Sequence, residues 1–88
     1  MTFLRYDHFD DLLFKDRKLF TQDVDSYNDC LLLCTSQSDC LSIVHIVQYD
    51  GGEVCTGYSI VFQDDTTAIY YSHATYYAIA KGKSVSTG

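Results

Sequence analysis

The sequence predicts a small α+β domain in which one short helix packs on antiparallel strands. Residues 27–35 have the start signal and the apolar spacing of a helix, whereas most of the remaining chain consists of short β-branched and aromatic runs between polar turns. All four cysteines lie between Cys30 and Cys55, where they can link the helix to the strands that follow it.

The composition fits one folded domain with a thin core. The chain has 88 residues, of which 47% are hydrophobic. A chain this short buries only about 60–65% of the surface that it exposes when unfolded, and small secreted domains often add disulfides for that reason. We expect the domain to span residues 1–81 and the polar residues 82–88 to form a loose tail.

The net charge of −6 disfavours polyanionic partners such as DNA, RNA and acidic lipid surfaces. The basic run Lys15–Lys18 is interrupted by Asp16, and we interpret it as a solvated turn. No run of 18 apolar residues occurs, so we expect no membrane insertion. The charged start, Met1–Asp7, is not typical of a signal peptide. Paired cysteines would therefore imply a removed signal or a longer parent chain.

The helix has a clear start. Ser26 is a natural N-cap for a helix from Tyr27 to about Thr35. Asp29, three residues after the cap, completes a weak capping box and suits the positive end of the helix. Cys30 and Cys34 fall on one face, which we expect to point inward.

The strongest strand signal is Leu41–Val47, which is apolar on both faces and is expected to be central. A glycine-containing turn follows it, and Gly57 in the returning strand predicts a bulge or a close approach of the helix. The first twenty residues predict one or two short strands between turns at Asp10-Asp11 and Lys15–Lys18. The other candidate strands are Val54–Phe62, Ala68–Tyr71 and Thr75–Ala80.

Disulfides are the favoured state of the four cysteines, with zinc as the alternative. Zinc sites usually carry two close cysteine pairs, whereas the third and fourth cysteines here are 15 residues apart. No C-x-x-C redox motif occurs. A Cys30–Cys34 bond would join successive turns of one helix, which suits disulfide geometry poorly. Of the two pairings that remain, local geometry favours Cys34–Cys40 with Cys30–Cys55.

No catalytic set emerges from the sequence. His8, His45 and His73 are far apart, and each lacks a nearby catalytic partner. We interpret His45 as a core or interface imidazole, with a pH-sensitive role as the alternative. The acidic pairs Asp10-Asp11 and Asp64-Asp65 lack the spacing of a calcium loop and are interpreted as solvated turns. We expect no enzyme, no bound metal and no cofactor.

The tyrosines are the candidate ligand-binding residues. Tyr70-Tyr71 and Tyr76-Tyr77 are adjacent pairs on predicted strands, so each pair sends one ring to each face of a sheet. We expect one ring of each pair in the core and the other at the surface, where it can bind a protein or stack on a sugar. Ordinary cross-strand packing is the alternative. Tyr49, beside a glycine turn, and His45 complete the candidate set.

Three segments, Asp29–Cys34, Cys40–His45 and Glu53–Ser59, resemble the centre of an apple/PAN domain. In that family a short helix carries two cysteines four apart, a third follows the helix, and a fourth lies after a hairpin. The resemblance implies a short helix on a curved antiparallel sheet of about five strands, with the first and last strands side by side. It also implies the disulfides Cys30–Cys55 and Cys34–Cys40. Without cysteines for a bridge between the termini, the chain is similar to the broader PAN type.

The resemblance further implies an extracellular adhesion module, one unit of a larger secreted or cell-surface protein. Such modules bind protein or carbohydrate ligands and are not enzymes. Because family members use different surfaces, no ligand residue can be transferred to this chain. The alternative function is structural self-association, in which the domain forms a homodimer.

Overall fold

The computed structural model describes residues 3–79. The predicted domain end at residue 81 and the predicted tail 82–88 lie outside the described residues. One short helix and two antiparallel sheets fit the predicted α+β class. In chain order the elements are β1 (Phe3–Arg5), a 3-10 turn (Asp7–Phe9), β2 (Leu12–Phe14), β3 (Lys18–Val24), α1 (Tyr27–Thr35), β4 (Ser42–Val47), β5 (Glu53–Tyr58), β6 (Ala68–Tyr70) and β7 (Ala74–Ile79).

The main sheet has five antiparallel strands in the order β1-β7-β4-β5-β3. β4 lies at its centre and is buried from Ser42 to Ile46, as its apolar run predicts. β1 pairs with β7, so the first and last of these strands are neighbours. β2 and β6 form a separate two-stranded sheet, which the sequence did not predict.

The helix has the predicted bounds and the predicted cap. The Ser26 hydroxyl oxygen accepts a hydrogen bond from the backbone N–H of Asp29 at 3.3 Å. Cys30 and Cys34 are fully buried, and they pack with Ile43 on one face of the main sheet. The helix prediction is therefore confirmed. The helix was predictable because the cap and the acidic residue that mark its start act within one helical turn.

Two disulfides attach the helix to the sheet and to the loop that follows it. Cys30 bonds Cys55 on β5, and Cys34 bonds Cys40, with Cα–Cα distances of 5.3 and 5.2 Å. This is the pairing that local geometry favours and that the resemblance implies. It leaves no cysteine free as a zinc ligand. Two disulfides in so small a domain are typical of an oxidising compartment.

The larger core lies on the sheet face away from the helix, where β2 and β6 cover it. Aromatic rings fill it: Phe14 stacks on Phe62 with centroids 4.0 Å apart. The Tyr58 hydroxyl donates to the carbonyl of Phe14 at 2.7 Å, and the Tyr76 hydroxyl accepts from the N–H of Phe62 at 2.9 Å. These bonds satisfy the polar ends of two fully buried tyrosines.

Several strand bounds were predicted wrongly. Three strands, not one or two, begin within the first twenty residues. β3 extends to Val24, two residues before the helix cap Ser26. Pairing with β5 holds β3 extended over this length. The returning strand ends at Tyr58 instead of Phe62. The chain turns away there, and the carbonyl of Ile60 accepts a hydrogen bond from the Ser42 hydroxyl at 2.6 Å.

Gly57 is a point of close approach, but the approaching group is not the helix. A Cβ at Gly57 would overlap the ring of Phe20. The irregular pairing lies on β3, between Lys18 and Phe20, and not on β5. The absence of a side chain at Gly57 lets the Phe20 ring lie directly across β5.

Candidate functional site

The structure separates the predicted tyrosines into two groups. Tyr70 is 72% exposed and Tyr71 38% exposed, whereas Tyr76 is fully buried and Tyr77 is half-buried. Tyr76 therefore belongs to the aromatic core and is not a surface residue. The prediction that one ring of each pair joins the core is wrong for Tyr70-Tyr71, because β6 pairs only with β2 and Tyr71 lies beyond its end.

Tyr77 lies on the helix side of the sheet. Its ring packs against Tyr27 of α1 with centroids 4.7 Å apart. Burial, with a smaller contribution from Tyr77, raises the pKa of Tyr27. Both rings thus contribute to the contact between helix and sheet.

Tyr49, Tyr70 and Tyr71 line one groove of about 520 Å³ at the end of the main sheet. We call it the tyrosine groove. It lies between the β4–β5 hairpin and the connection from β6 to β7. Its remaining lining residues are Val47, Gln48, Ser72 and His73. Tyr49 and the adjacent pair Tyr70-Tyr71, which are distant from each other in sequence, are therefore neighbours on one surface.

A tight hairpin turn presents Tyr49. The N–H of Gly51 donates to the carbonyl of Gln48 at 3.0 Å, and the N–H of Gln48 donates to the carbonyl of Gly52 at 2.7 Å. Gly51 has a φ of 90°, which glycine adopts without a steric penalty. Tyr49 is the second residue of this turn, and its side chain is fully exposed.

Asp11 holds the other wall of the groove. Its carbonyl accepts from the N–H of Tyr71 at 2.8 Å, and its own N–H donates to the carbonyl of Ala74 at 2.8 Å. Its carboxylate Oδ1 accepts from the N–H of His73 at 3.1 Å. Asp11 and His73 both have positive φ, at 62° and 66°. The sequence predicted a turn at Asp10-Asp11 correctly but gave no sign of this partner.

A backbone hydrogen bond joins the two walls. The N–H of Val47, at the end of β4, donates to the carbonyl of His73 at 3.3 Å. Among the described residues that line the groove, none carries a carboxylate, an ammonium or a guanidinium group. The groove therefore combines flat aromatic surface with uncharged polar groups and suits an uncharged ligand surface.

His45 lies apart from the tyrosine groove, on the helix side of the sheet. Its Nε2 is 2.8 Å from Oε1 of Glu53, and its ring meets that of Tyr27 at a centroid distance of 5.9 Å. The sequence did not predict this carboxylate partner of His45. Glu53 is diagonal to His45 across the β4–β5 ladder, a relationship that appears only when the register is known.

Within residues 3–79, no three His, Cys, Asp or Glu side chains lie close enough together to hold a metal ion. Its one α-helix has nine residues, too few to cross a membrane.

Comparison with protein-family models, curated proteins and solved structures finds no match to this chain. The resemblance to apple/PAN domains therefore stays a prediction.

Proposed function

We propose that this chain is a non-enzymatic, extracellular recognition module that binds a protein or carbohydrate ligand through the tyrosine groove. The observation that carries the proposal is the convergence of Tyr49, Tyr70 and Tyr71, all exposed, on one surface. Exposed tyrosines gathered in a concave surface are typical of binding sites, because each ring offers a large contact area at a small cost in conformational entropy.

The groove chemistry favours a neutral oligosaccharide among these ligands. Tyrosine rings can lie against the C–H face of a sugar, and their hydroxyls can hydrogen-bond to it. Gln48, Ser72 and His73 add donors and acceptors beside the rings. An acidic glycan would find no cationic lysine or arginine among the described lining residues, and the net charge of −6 would repel it.

The extracellular placement rests on the disulfides and on the family resemblance. Both cysteine pairs are oxidised, as is typical of secreted domains. The cysteine pairing and the adjacency of β1 and β7 agree with what a PAN-type domain would have. These features support the proposal that the chain is one unit of a larger secreted or surface protein.

Binding to an array of neutral oligosaccharides tests the proposal. We expect the wild-type domain to bind a subset of them and the double variant Y49A/Y70A to bind about tenfold more weakly, because it loses two stacking rings. The matched variant Y49F/Y70F keeps both rings and should retain most of the affinity. Both tyrosines are exposed, so these substitutions leave the core unchanged.

The same variants distinguish an oligosaccharide ligand from a protein ligand. If no oligosaccharide binds, and a protein from cell-surface material binds the wild type but not Y49A/Y70A, then the ligand is a protein. If every ligand found binds Y49A/Y70A as tightly as it binds the wild type, the proposed site is wrong.

A further inference from the structure

β3 is an open edge of the main sheet in the part of the chain that the structure describes. It pairs with β5 on one side and with no described strand on the other. It is seven residues long, and Lys18, Leu19 and Thr21–Asp23 are exposed along it. A strand edge of this length presents unpaired N–H and C=O groups that can hydrogen-bond to another strand.

The space beside this edge can receive a strand. A groove of about 400 Å³ runs between the end of β3 and the outer side of α1. Gln22–Asp25 line one side of it, and Leu32 and Leu33 line the other. Leu32 is 65% exposed, so a strand added here would gain apolar contact with the helix.

The charges along β3 specify which strand would fit. The start of β3 has three basic residues, Lys15, Arg17 and Lys18, and one acidic residue, Asp16, so it is basic on balance. Its end has Asp23 and Asp25, and all six side chains are exposed. The Cα atoms of residues 18 and 24 are about 20 Å apart in an extended strand. An antiparallel copy of β3 runs in the reverse direction, so its basic start would lie beside the acidic end of the first copy. β3 is therefore complementary in charge to itself.

We propose that β3 pairs with β3 of a second copy of this chain, forming an antiparallel homodimer about a twofold axis near Thr21. Lys18, Thr21 and Asp23 line one face of the sheet, because the register shift after Lys18 turns its side chain to that side. In the dimer, Lys18 of each copy lies near Asp23 of the other.

The twofold axis is perpendicular to the joined sheet, so both α1 helices lie on the same face of that sheet. β3 contributes no lining residue to the tyrosine groove, although Lys18 and Asp23 line a neighbouring pocket with Gln48 and Tyr71. The inference rests on the free edge and the charges of β3 and not on the proposed function.

Sedimentation over a range of concentrations tests the proposal with a charge exchange. We expect the wild type to form a concentration-dependent dimer. K18D places a new carboxylate beside Asp23 of the other copy, and D23K places a new ammonium group beside Lys18 of the other copy. Each contact occurs twice in the dimer, so either substitution should raise the dissociation constant about tenfold. The double variant K18D/D23K restores opposite charges and should return the dissociation constant to near the wild-type value.

Three results would overturn the proposal: a wild type that stays monomeric, a dimer that neither single substitution weakens, or a double variant no better than the singles. Circular dichroism of each variant shows whether a lost dimer reflects lost folding, and recovery in the double variant identifies charge as the cause. Y49A/Y70A should dimerise like the wild type, which separates this result from the test of the tyrosine groove.

Discussion

The backbone N–H of His73 donates a hydrogen bond to the carboxylate of Asp11 at 3.1 Å, between residues 62 positions apart in the chain. Asp11 also exchanges backbone bonds with Tyr71 and Ala74. These three bonds tie the turn before β2 to the connection that carries Tyr71 and His73. A single aspartate thus joins the smaller sheet to the main one and shapes one wall of the tyrosine groove.

Replacing Asp11 with alanine should loosen this connection. D11A removes the acceptor for His73 and puts a less suitable residue at positive φ, so we expect the free energy of unfolding to fall by about 1–3 kcal/mol. Hydrogen exchange at the His73 amide should accelerate. D11N is the matched control, because an asparagine oxygen can still accept the bond and asparagine tolerates the conformation. Unchanged exchange at His73 in D11A would contradict this role.

A methyl group at Gly57 should strain the contact with Phe20. We expect G57A to lower the free energy of unfolding by about 1–3 kcal/mol, measured by urea denaturation. G52A is the control, because a Cβ there meets only the ends of the Asp50 and Gln48 side chains, at 3.2 Å. In F20A/G57A the overlap is gone, so the loss should be smaller than the sum of the two single losses. Additive losses would contradict the proposed overlap.

The two disulfides should differ in their effect on stability. In the chain-entropy account, a bond across 25 residues contributes about 3.5 kcal/mol and one across six residues about 2.2 kcal/mol. C30A/C55A should therefore have a lower urea midpoint than C34A/C40A. All four cysteines are buried, so each pair of substitutions removes two buried sulfur atoms. The reverse order of midpoints would show that local strain or packing outweighs loop length.

The buried tyrosines should make the domain sensitive to alkali. Burial raises the pKa of both Tyr58 and Tyr76 above the ordinary value of 10.0. Because the folded pKa exceeds the unfolded one, their contribution to stability is complete below about pH 10. It is lost as the pH rises through the folded pKa values. The free energy of unfolding, measured by urea denaturation, should therefore decrease above about pH 10.

Variants identify the tyrosine responsible for this alkaline loss. Y58F should show a shallower decrease above pH 10, although it starts about 1 kcal/mol lower because the bond to Phe14 is lost. Y70F removes an exposed hydroxyl and should follow the wild-type curve. Equal slopes for Y58F and the wild type would assign the alkaline loss to other groups.

Features that depend on near neighbours in sequence were predictable. Ser26 and Asp29 marked the start of α1, and a run of β-branched residues marked β4. The glycines after Asp50 likewise marked the hairpin. Each of these signals acts within a few residues, so no knowledge of the rest of the fold was needed.

Pairings between distant segments were harder to predict. β3 contains Lys18 and Asp23 and lacks the regular alternation of apolar and polar residues that marks a half-buried strand. Its extended conformation depends on pairing with β5. The partnership of His45 with Glu53 depends on the register between β4 and β5. That register was not evident from either residue alone.

The sequence by itself determined the helix, the central strand and the clustering of the cysteines, because these follow from local conformational preferences and spacing. Only the tertiary structure decided which tyrosines face the solvent. Tyr76 is buried beneath the second layer of β2 and β6, whereas Tyr70 is the last residue of β6 and remains exposed at the end of that layer. Two aromatic residues with the same strand preference thus differ in exposure because burial depends on which layers cover each face. That arrangement also gathers Tyr49, Tyr70 and Tyr71 into one groove.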